Sequence, residues 1–171
     1  MQNSESKALI VHLVTALESG GAEKVLFDTV LGLRGEFIHK VVVLSKRGVY
    51  CKKLQDAGVS VERISFKVII SLLFDKKDGC LIHSYLYHSH IASVIFKILG
   101  FRVIWSIHSS IEKNASFIAK LSALISYFVP DYIVYVSKLT RVQHVKAGFS
   151  KKKNNVVYNG INIDYFIKNN C

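Results

Sequence analysis

Short apolar runs alternate with segments of helical spacing along almost the whole chain, and this alternation restricts the possible folds more than any other feature. The first run covers 8–14, and apolar residues at helical spacing follow over 22–33. Further predicted strands lie at 39–44, 59–64, 102–107 and 132–136, and another begins at 80–83. Strands that are apolar throughout are typical of a sheet buried on both faces. The sequence therefore predicts one Rossmann-like, doubly wound α/β domain with a mainly parallel sheet.

Helices are predicted between most of these strands. One covers 50–57 and ends at Gly58, and apolar residues from Ile91 to Leu99 lie at helix-face spacing before Gly100. Another covers 117–128, and a final helix and strand carry the chain to 157. The segment 66–74 allows two interpretations. It is either the ordinary buried helix between the third and fourth strands or an interfacial helix flanked by lysines.

Two glycines stand directly before the first predicted helix, in the run Ser19-Gly20-Gly21-Ala22-Glu23. In doubly wound folds, ligands bind beyond the carboxyl ends of the strands, which is where this run lies. Backbone N–H groups at a glycine-rich helix N-terminus suit a phosphate. The same glycines also suit a tight turn that holds no ligand.

Several nucleotide-binding classes are disfavoured by missing motifs. The chain has no GxGxxG, no GxxxxGK[ST] and no DxD, which argues against NAD binding, an NTPase and a metal-bridged nucleotide site. Lys46 and Arg47 after the second strand leave an NADP-type site as an open alternative. Three histidines occur between His83 and His90, but no acidic or cysteine partner has ligand spacing, so we expect no metal.

Histidine and tyrosine side chains are concentrated after two predicted strands. The run from His83 to His90 contains hydrogen-bonding groups that sugars and phosphates both use, although at least one of its histidines is expected to be structural. His108 follows the fifth strand at the same edge of the sheet. It is interpreted either as a structural residue or as a group that hydrogen bonds to a ligand or polarises it.

Charge and cysteine content restrict the partners and the compartment. The chain has 23 Lys and Arg against 12 Asp and Glu, a formal charge of +11. This charge suits nucleic acid, anionic lipid or phosphorylated ligands, and it also suits a basic surface that serves only solubility. No nucleic-acid recognition motif is present, so we expect no nucleic-acid partner. The three cysteines are odd in number and form no CxxC pair, and the N-terminus does not resemble a secretory signal. These features predict a cytoplasmic location.

Four pieces of the sequence, taken in order, resemble glycosyltransferase family 4, whose members have the two-domain GT-B fold. They are the Gly20-Gly21 run after the first strand, the segment from His83 to His90, Ser106-Ile107-His108, and the closing run from Val156 to Asn162. The resemblance covers nearly the whole chain. It implies a retaining transferase that uses a nucleotide-diphosphate sugar as donor substrate, with no metal and no cofactor.

The resemblance also implies roles for individual residues. His108 corresponds to a catalytic histidine beside the donor sugar. The donor phosphates and the cleft are assigned to Gly20, Gly21, Ala22, Glu23 and Ser137. The acceptor side and the exit to a second domain are assigned to His83, Tyr85, His88, Asn159 and Gly160.

The expected domain organisation is an acceptor-side Rossmann-like domain at 1–158 and the start of an interdomain linker at 159–171. A second, donor-binding domain would then be absent, and either a truncated product or one subunit of a split enzyme would explain that. Such a chain is expected to be inactive alone. The resemblance implies a polysaccharide or lipid-linked acceptor and allows attachment to the inner membrane face. The alternative is a non-enzymatic module that binds a phosphorylated ligand or a membrane.

Overall fold

The computed structural model describes residues 7–45, 48–75, 79–111 and 116–160. The strands are β1 Leu9–Val14, β2 Ile38–Val43, β3 Ser60–Arg63, β4 Cys80–Tyr85, β5 Arg102–Ile107, β6 Tyr132–Tyr135 and β7 Asn154–Val156. The helices are α1 Gly21–Leu33, α2 Val49–Asp56, α3 Phe66–Asp75, α4 Tyr87–Ile98, α5 Phe117–Ile125 and α6 Lys138–Lys146. The alternation predicted from the sequence is confirmed.

All seven strands form one parallel sheet in the order β3-β2-β1-β4-β5-β6-β7. The chain builds outward from β1 to β3 and then returns to the other side of β1 with β4. The order of the strands therefore reverses between β1 and β4, the position at which open α/β sheets form a ligand crevice. The predicted Rossmann-like, doubly wound fold is confirmed.

The helices divide between the two faces of the sheet. Buried residues of α1 and α2, such as Leu26 and Leu54, pack in one core cluster with Val41 and Val43. Buried residues of α3, α4 and α5 pack in a larger cluster around Trp105. The indole Nε1 of Trp105 donates to Ser93 Oγ at 2.9 Å, so the largest fully buried side chain also has its polar atom paired.

Helix α3, which covers the segment 66–74, has a buried face and an exposed apolar face. It connects β3 to β4 and buries Val68 and Leu72 against the larger core, as an ordinary crossover helix does. Its outer face is nevertheless apolar, with Phe66 and Phe74 both exposed. The helix therefore has one face that the core covers and one that no described residue covers.

Two boundaries differ from the prediction. Strand β4 continues to Tyr85 because His83 pairs with His12 on one side and Ile104 on the other. Helix α4 starts at Tyr87, earlier than the apolar spacing indicated. The predicted linker at 159–171 lies outside the described residues except for Asn159 and Gly160, and Lys46 and Arg47 lie outside them as well.

Candidate functional site

The loops that follow the parallel strands meet at one edge of the sheet, as the topology requires. Gly20 and Gly21 follow β1, His108 follows β5 and Ser137 follows β6. The strands β1, β4, β5 and β6 are consecutive neighbours in the sheet, so these loops are adjacent to one another. The structure thus brings the predicted glycine loop, the predicted histidine and Ser137 to one rim.

The glycine loop forms the N-terminus of α1. Gly20 is the N-cap residue and has extended backbone geometry. Because glycine has no side chain, the N-cap residue makes no side-chain hydrogen bond to the helix. The Glu23 carboxylate folds back so far that a Cβ added at Gly20 would collide with it. Glu23 therefore places a negative charge at the positive end of the helix, where it interacts favourably with the unpaired N–H groups. A phosphate at this loop would require the Glu23 side chain to move aside.

A second glycine holds this loop in place. A Cβ added at Gly48 would collide with the backbone of Leu17 and Glu18, so the loop after β2 packs directly on the loop after β1. Tyr50 N–H donates to the Leu17 carbonyl at 3.0 Å, which fastens the same two loops. The sequence analysis did not single out Gly48. Its position directly before α2 was the available signal.

The junction of β4 and α4 lies at the reversal of strand order and contains strained backbone. Leu86, the residue between strand and helix, has φ 69° and ψ 157°, a conformation that non-glycine residues rarely adopt. Ser89 in the first turn of α4 lies 3.4 Å from Thr15 Oγ1 at the end of β1. The loop after β1 and the first turn of α4 are therefore in contact at the crevice.

A row of hydrogen-bonded side chains crosses one face of the sheet beneath this rim. Nε2 of His12 lies 3.0 Å from Nδ1 of His39, and Nδ1 of His12 lies 3.2 Å from the Tyr85 hydroxyl. The same hydroxyl lies 3.1 Å from Nδ1 of His83, and Nε2 of His83 lies 2.6 Å from Ser106 Oγ. We call these five residues the histidine row. It links strands β2, β1, β4 and β5.

Burial keeps two imidazoles of this row, those of His12 and His83, neutral. Burial lowers the pKa of His83 to about 3, and the neighbouring His108 lowers it further. Burial also holds the pKa of His12 well below its ordinary value, with His83 and His39 adding to the effect. Both rings therefore act at neutral pH as hydrogen-bonding groups without charge.

The structure changes the assignment of Tyr85. It was predicted as an acceptor-binding residue, but only 1% of its surface is exposed and its hydroxyl is bound to two histidines. His83 is also in the strand and not in the loop after it. Both residues support the rim from below. His12, His39 and Ser106 were not predicted as their partners, because only strand register brings these side chains together.

His108 lies next to the histidine row, directly after the end of β5. Its ring stacks on Tyr85 with centroids 5.5 Å apart and planes 18° apart. Burial lowers the pKa of His108 to about 4, so the imidazole is neutral at neutral pH. Both ring nitrogens are themselves buried and have no hydrogen-bond partner among the described residues, so a ligand would reach them only after a local rearrangement. A neutral histidine in this state is suited to hydrogen bonding with a ligand and poorly suited to acting as a cation.

A second polar chain lies beside His108, on α4 and α6. The Ser109 hydroxyl lies 3.5 Å from the Tyr87 hydroxyl, which lies 2.7 Å from Nε2 of His144. Nδ1 of His144 donates to the Thr140 carbonyl at 2.8 Å, so Nε2 accepts the proton of Tyr87 when the ring is neutral. Burial lowers the pKa of His144, which favours that neutral form.

The remaining predicted residues are more peripheral. Ser137 caps α6, with its Oγ accepting from Thr140 N–H at 3.0 Å. His88 is exposed in the first turn of α4, and Asn159 and Gly160 are exposed after β7. Ala22, the second residue of α1, is buried. Within the described ranges, no group of three or more His, Cys, Asp or Glu residues is arranged to hold a metal ion.

The chain is similar to a glycosyltransferase over nearly all of its length. It is 25% identical over 174 residues to the capsular polysaccharide biosynthesis glycosyltransferase CapH of Staphylococcus aureus, covering 94% of this chain and 49% of CapH. It therefore spans about half the length of that relative. No protein-family model matches the chain.

Solved structures of longer chains contain the same fold. Anabaena Alr3699/HepE in complex with UDP superposes with a TM-score of 0.78 at 15% identity, over 92% of this chain and 45% of HepE. HepE with UDP-glucose gives 0.75 at 15% identity, over 91% and 45%. A glycosyltransferase from Rickettsia africae gives 0.67 at 14% identity, over 96% and 46%. This chain thus has the fold of one half of each of these proteins.

Proposed function

We propose that this chain is the N-terminal, acceptor-side half of a retaining glycosyltransferase of family 4. The reaction would transfer a sugar from a nucleotide-diphosphate sugar to a hydroxyl of a polysaccharide or lipid-linked acceptor. The observation that carries the proposal is the unpaired, neutral ring of His108 on the same sheet edge as the glycine loop. CapH and the UDP-bound HepE structures support the donor class.

The proposed mechanism divides the work between two domains. In this half, the N-terminus of α1 at Gly20 and Gly21 faces the donor phosphates with the unpaired N–H groups of its first turn, whereas the Gly20 N–H is already bonded to the Glu18 carbonyl at 3.2 Å. His108 hydrogen bonds with the transferred sugar as a neutral group. Departure of a nucleoside diphosphate needs positive charge to stabilise it, and such electrostatic stabilisation is commonly the largest catalytic contribution. We assign that contribution to a second Rossmann-like domain, which also holds most of the nucleotide.

Binding is tested on the chain as it exists. Amide and histidine-ring NMR signals are recorded while UDP-glucose is added, with UDP and glucose as separate titrants. We expect signals of Gly20, Gly21 and His108 to shift with UDP-glucose, while exposed loop residues such as Lys151 do not respond. Shifts confined to surface lysines would contradict the proposed donor site.

Transfer is tested by adding a second domain as a separate polypeptide, for example the C-terminal half of CapH, and measuring sugar transfer. In an active mixture, His108→Ala should lower kcat on the order of 10²- to 10³-fold, as removal of one positioned hydrogen-bonding group does. Lys151→Ala, an exposed loop change, should leave kcat unchanged. Binding of UDP-glucose without turnover in every such mixture would favour a phospholigand-binding module instead.

A further inference from the structure

The polar chain beside His108 ends on the rim at Ser109. Ser109 follows His108 in the loop after β5, and its side chain is half-buried. Both ring nitrogens of His108 are buried, so the Ser109 hydroxyl is the more accessible hydrogen-bonding group of the two. The mechanism described above gives this hydroxyl no role. Its direction, however, is set from inside the protein by Tyr87 and His144.

The direction of each hydrogen bond in this chain follows from its inner end. The Thr140 carbonyl can only accept, so Nδ1 of His144 carries the hydrogen of the neutral ring. Nε2 is then an acceptor, and the Tyr87 hydroxyl donates its only hydrogen to it at 2.7 Å. The Ser109 hydroxyl, 3.5 Å away, therefore donates to the Tyr87 oxygen, and it contacts no other hydrogen-bonding group of the described residues. With its hydrogen directed inward, Ser109 offers only lone pairs to the outside.

Several contacts hold Tyr87 in the orientation that this direction requires. Its backbone carbonyl accepts from the Ser122 hydroxyl of α5 at 3.4 Å. Its ring packs against the rings of His90, His144 and Phe149, with centroids between 5.9 and 6.2 Å apart. All three of these rings are buried. A side chain fixed in this way keeps the rim residue above it oriented before a ligand arrives.

We propose that Ser109 is a specificity-determining residue that accepts a hydrogen bond from a sugar hydroxyl of the donor substrate, with Tyr87 and His144 as positioning residues. An oxygen without a free hydrogen attracts a hydroxyl and disfavours carboxylate, phosphate or fluorine, which bring only lone pairs. The inference rests on the proposed function and adds to it the kind of group that this part of the rim selects.

The direction of the chain is tested without any ligand. Two-bond nitrogen–proton NMR spectra show which ring nitrogen of His144 carries the hydrogen. We expect it on Nδ1. A hydrogen on Nε2 would make Tyr87 an acceptor from His144 and a donor to Ser109, and this result would overturn the proposal whether or not a nucleotide sugar binds.

Selectivity is tested with UDP-glucose and the derivatives in which the C2, C3, C4 or C6 hydroxyl of its glucose is replaced by fluorine. In NMR titrations of the unchanged chain, one derivative should bind about three- to tenfold more weakly than UDP-glucose, as loss of one hydrogen bond predicts. In Ser109→Ala, that derivative and UDP-glucose should bind equally. Ser60→Ala changes an exposed serine on β3 and should keep the difference.

Two positioning residues are tested by the same preference for hydroxyl over fluorine, which a merely structural role would leave unchanged. Tyr87→Phe frees the Ser109 hydrogen to point outward, so the preference should shrink while UDP-glucose still binds. His144→Gln supplies an amide oxygen that accepts from Tyr87 and should keep the preference, whereas His144→Leu should lose it. Far-ultraviolet circular dichroism checks that each variant folds. A full preference in Tyr87→Phe, or equal preferences in the two His144 variants, would overturn these roles.

Failure of the inference and failure of the proposed function give different results. If the unchanged chain binds UDP-glucose but Ser109→Ala alters the preference against none of the fluorinated derivatives, only the inference is wrong. If the unchanged chain does not bind UDP-glucose, the proposed donor site is wrong and the inference is wrong with it.

Discussion

The ring of Tyr85 stacks under the ring of His108, and its hydroxyl at the same time bridges His12 and His83. One buried side chain thus connects the candidate sugar-binding histidine to the polar row below the sheet edge. Removing only the hydroxyl separates these two contributions, since the ring of phenylalanine can still stack.

Tyr85→Phe should therefore destabilise the protein while keeping the stack on His108. The change leaves Nδ1 of both His12 and His83 without its partner, and an unpaired buried polar group costs about 1–3 kcal/mol. Urea unfolding measures the loss. Tyr132→Phe, at a partly exposed site with no hydroxyl contact found among the described residues, is the control and should cost much less. Similar losses at the two sites would contradict the role given to the Tyr85 hydroxyl.

The stability of the fold should decrease on mild acidification. The pKa of His83 is about 3 in the folded protein against 6.5 for the free side chain, so the unfolded chain binds more protons between these values. Stability is then fully present above about pH 6.5 and is lost as the pH falls toward the folded pKa. Urea unfolding at several pH values should show this slope.

Substitution of single histidines tests the origin of that slope. His83→Gln removes one group with a lowered pKa and should make the pH dependence shallower. His88→Gln changes an exposed histidine and should leave the slope nearly as it is. An unchanged slope in His83→Gln would show that other groups dominate the acid response.

Gly48→Ala should disturb the glycine loop from the neighbouring loop after β2. The new methyl group would overlap the backbone of Leu17 and Glu18, and overpacking of this kind typically costs about 1–3 kcal/mol. We also expect smaller NMR shifts at Gly20 and Gly21 on addition of UDP-glucose.

Gly32→Ala is the matched control for Gly48→Ala. Gly32 lies inside α1 with nothing near its added Cβ, so alanine there should stabilise the helix by roughly 0.5–1 kcal/mol. If Gly48→Ala were also neutral or stabilising, the packing of the two loops would not be as described.

At position 86, a glycine variant should be more stable than an alanine variant, the reverse of the usual order. Both substitutions lose the leucine side chain, but only glycine adopts φ 69° and ψ 157° without strain. Leu86→Gly should therefore be more stable than Leu86→Ala by roughly 1 kcal/mol or more, given the cost of this backbone region. Thermal unfolding of the two variants compares them directly, and greater stability of Leu86→Ala would contradict the backbone geometry.

Much of the fold was predictable because its signals are local. Apolar runs and helical spacing indicate the order of elements, and the carboxyl-edge rule predicts that Gly20 and His108 lie at the same edge of the sheet. Ser137 at the start of the helix after β6 was also correctly located.

The support beneath the site was not predictable, because it depends on register between distant strands. His12 and His83 are opposite each other only through the pairing of β1 with β4. The same pairing extends β4 to Tyr85, which placed that side chain in the interior against expectation. Likewise, the collision that requires glycine at position 48 arises between two loops far apart in sequence.

The histidine row has one more property, which follows from counting hydrogens. A tyrosine hydroxyl can donate only one hydrogen, so Tyr85 donates to either His12 or His83 and accepts from the other. When each ring carries a single N–H hydrogen, this choice fixes the tautomers of His39, His12 and His83 and the direction of the Ser106 hydroxyl. The row then has two arrangements that run in opposite directions, and changing one to the other moves a hydrogen on every member. The tautomer of His39 therefore reports on the hydroxyl of Ser106 three strands away.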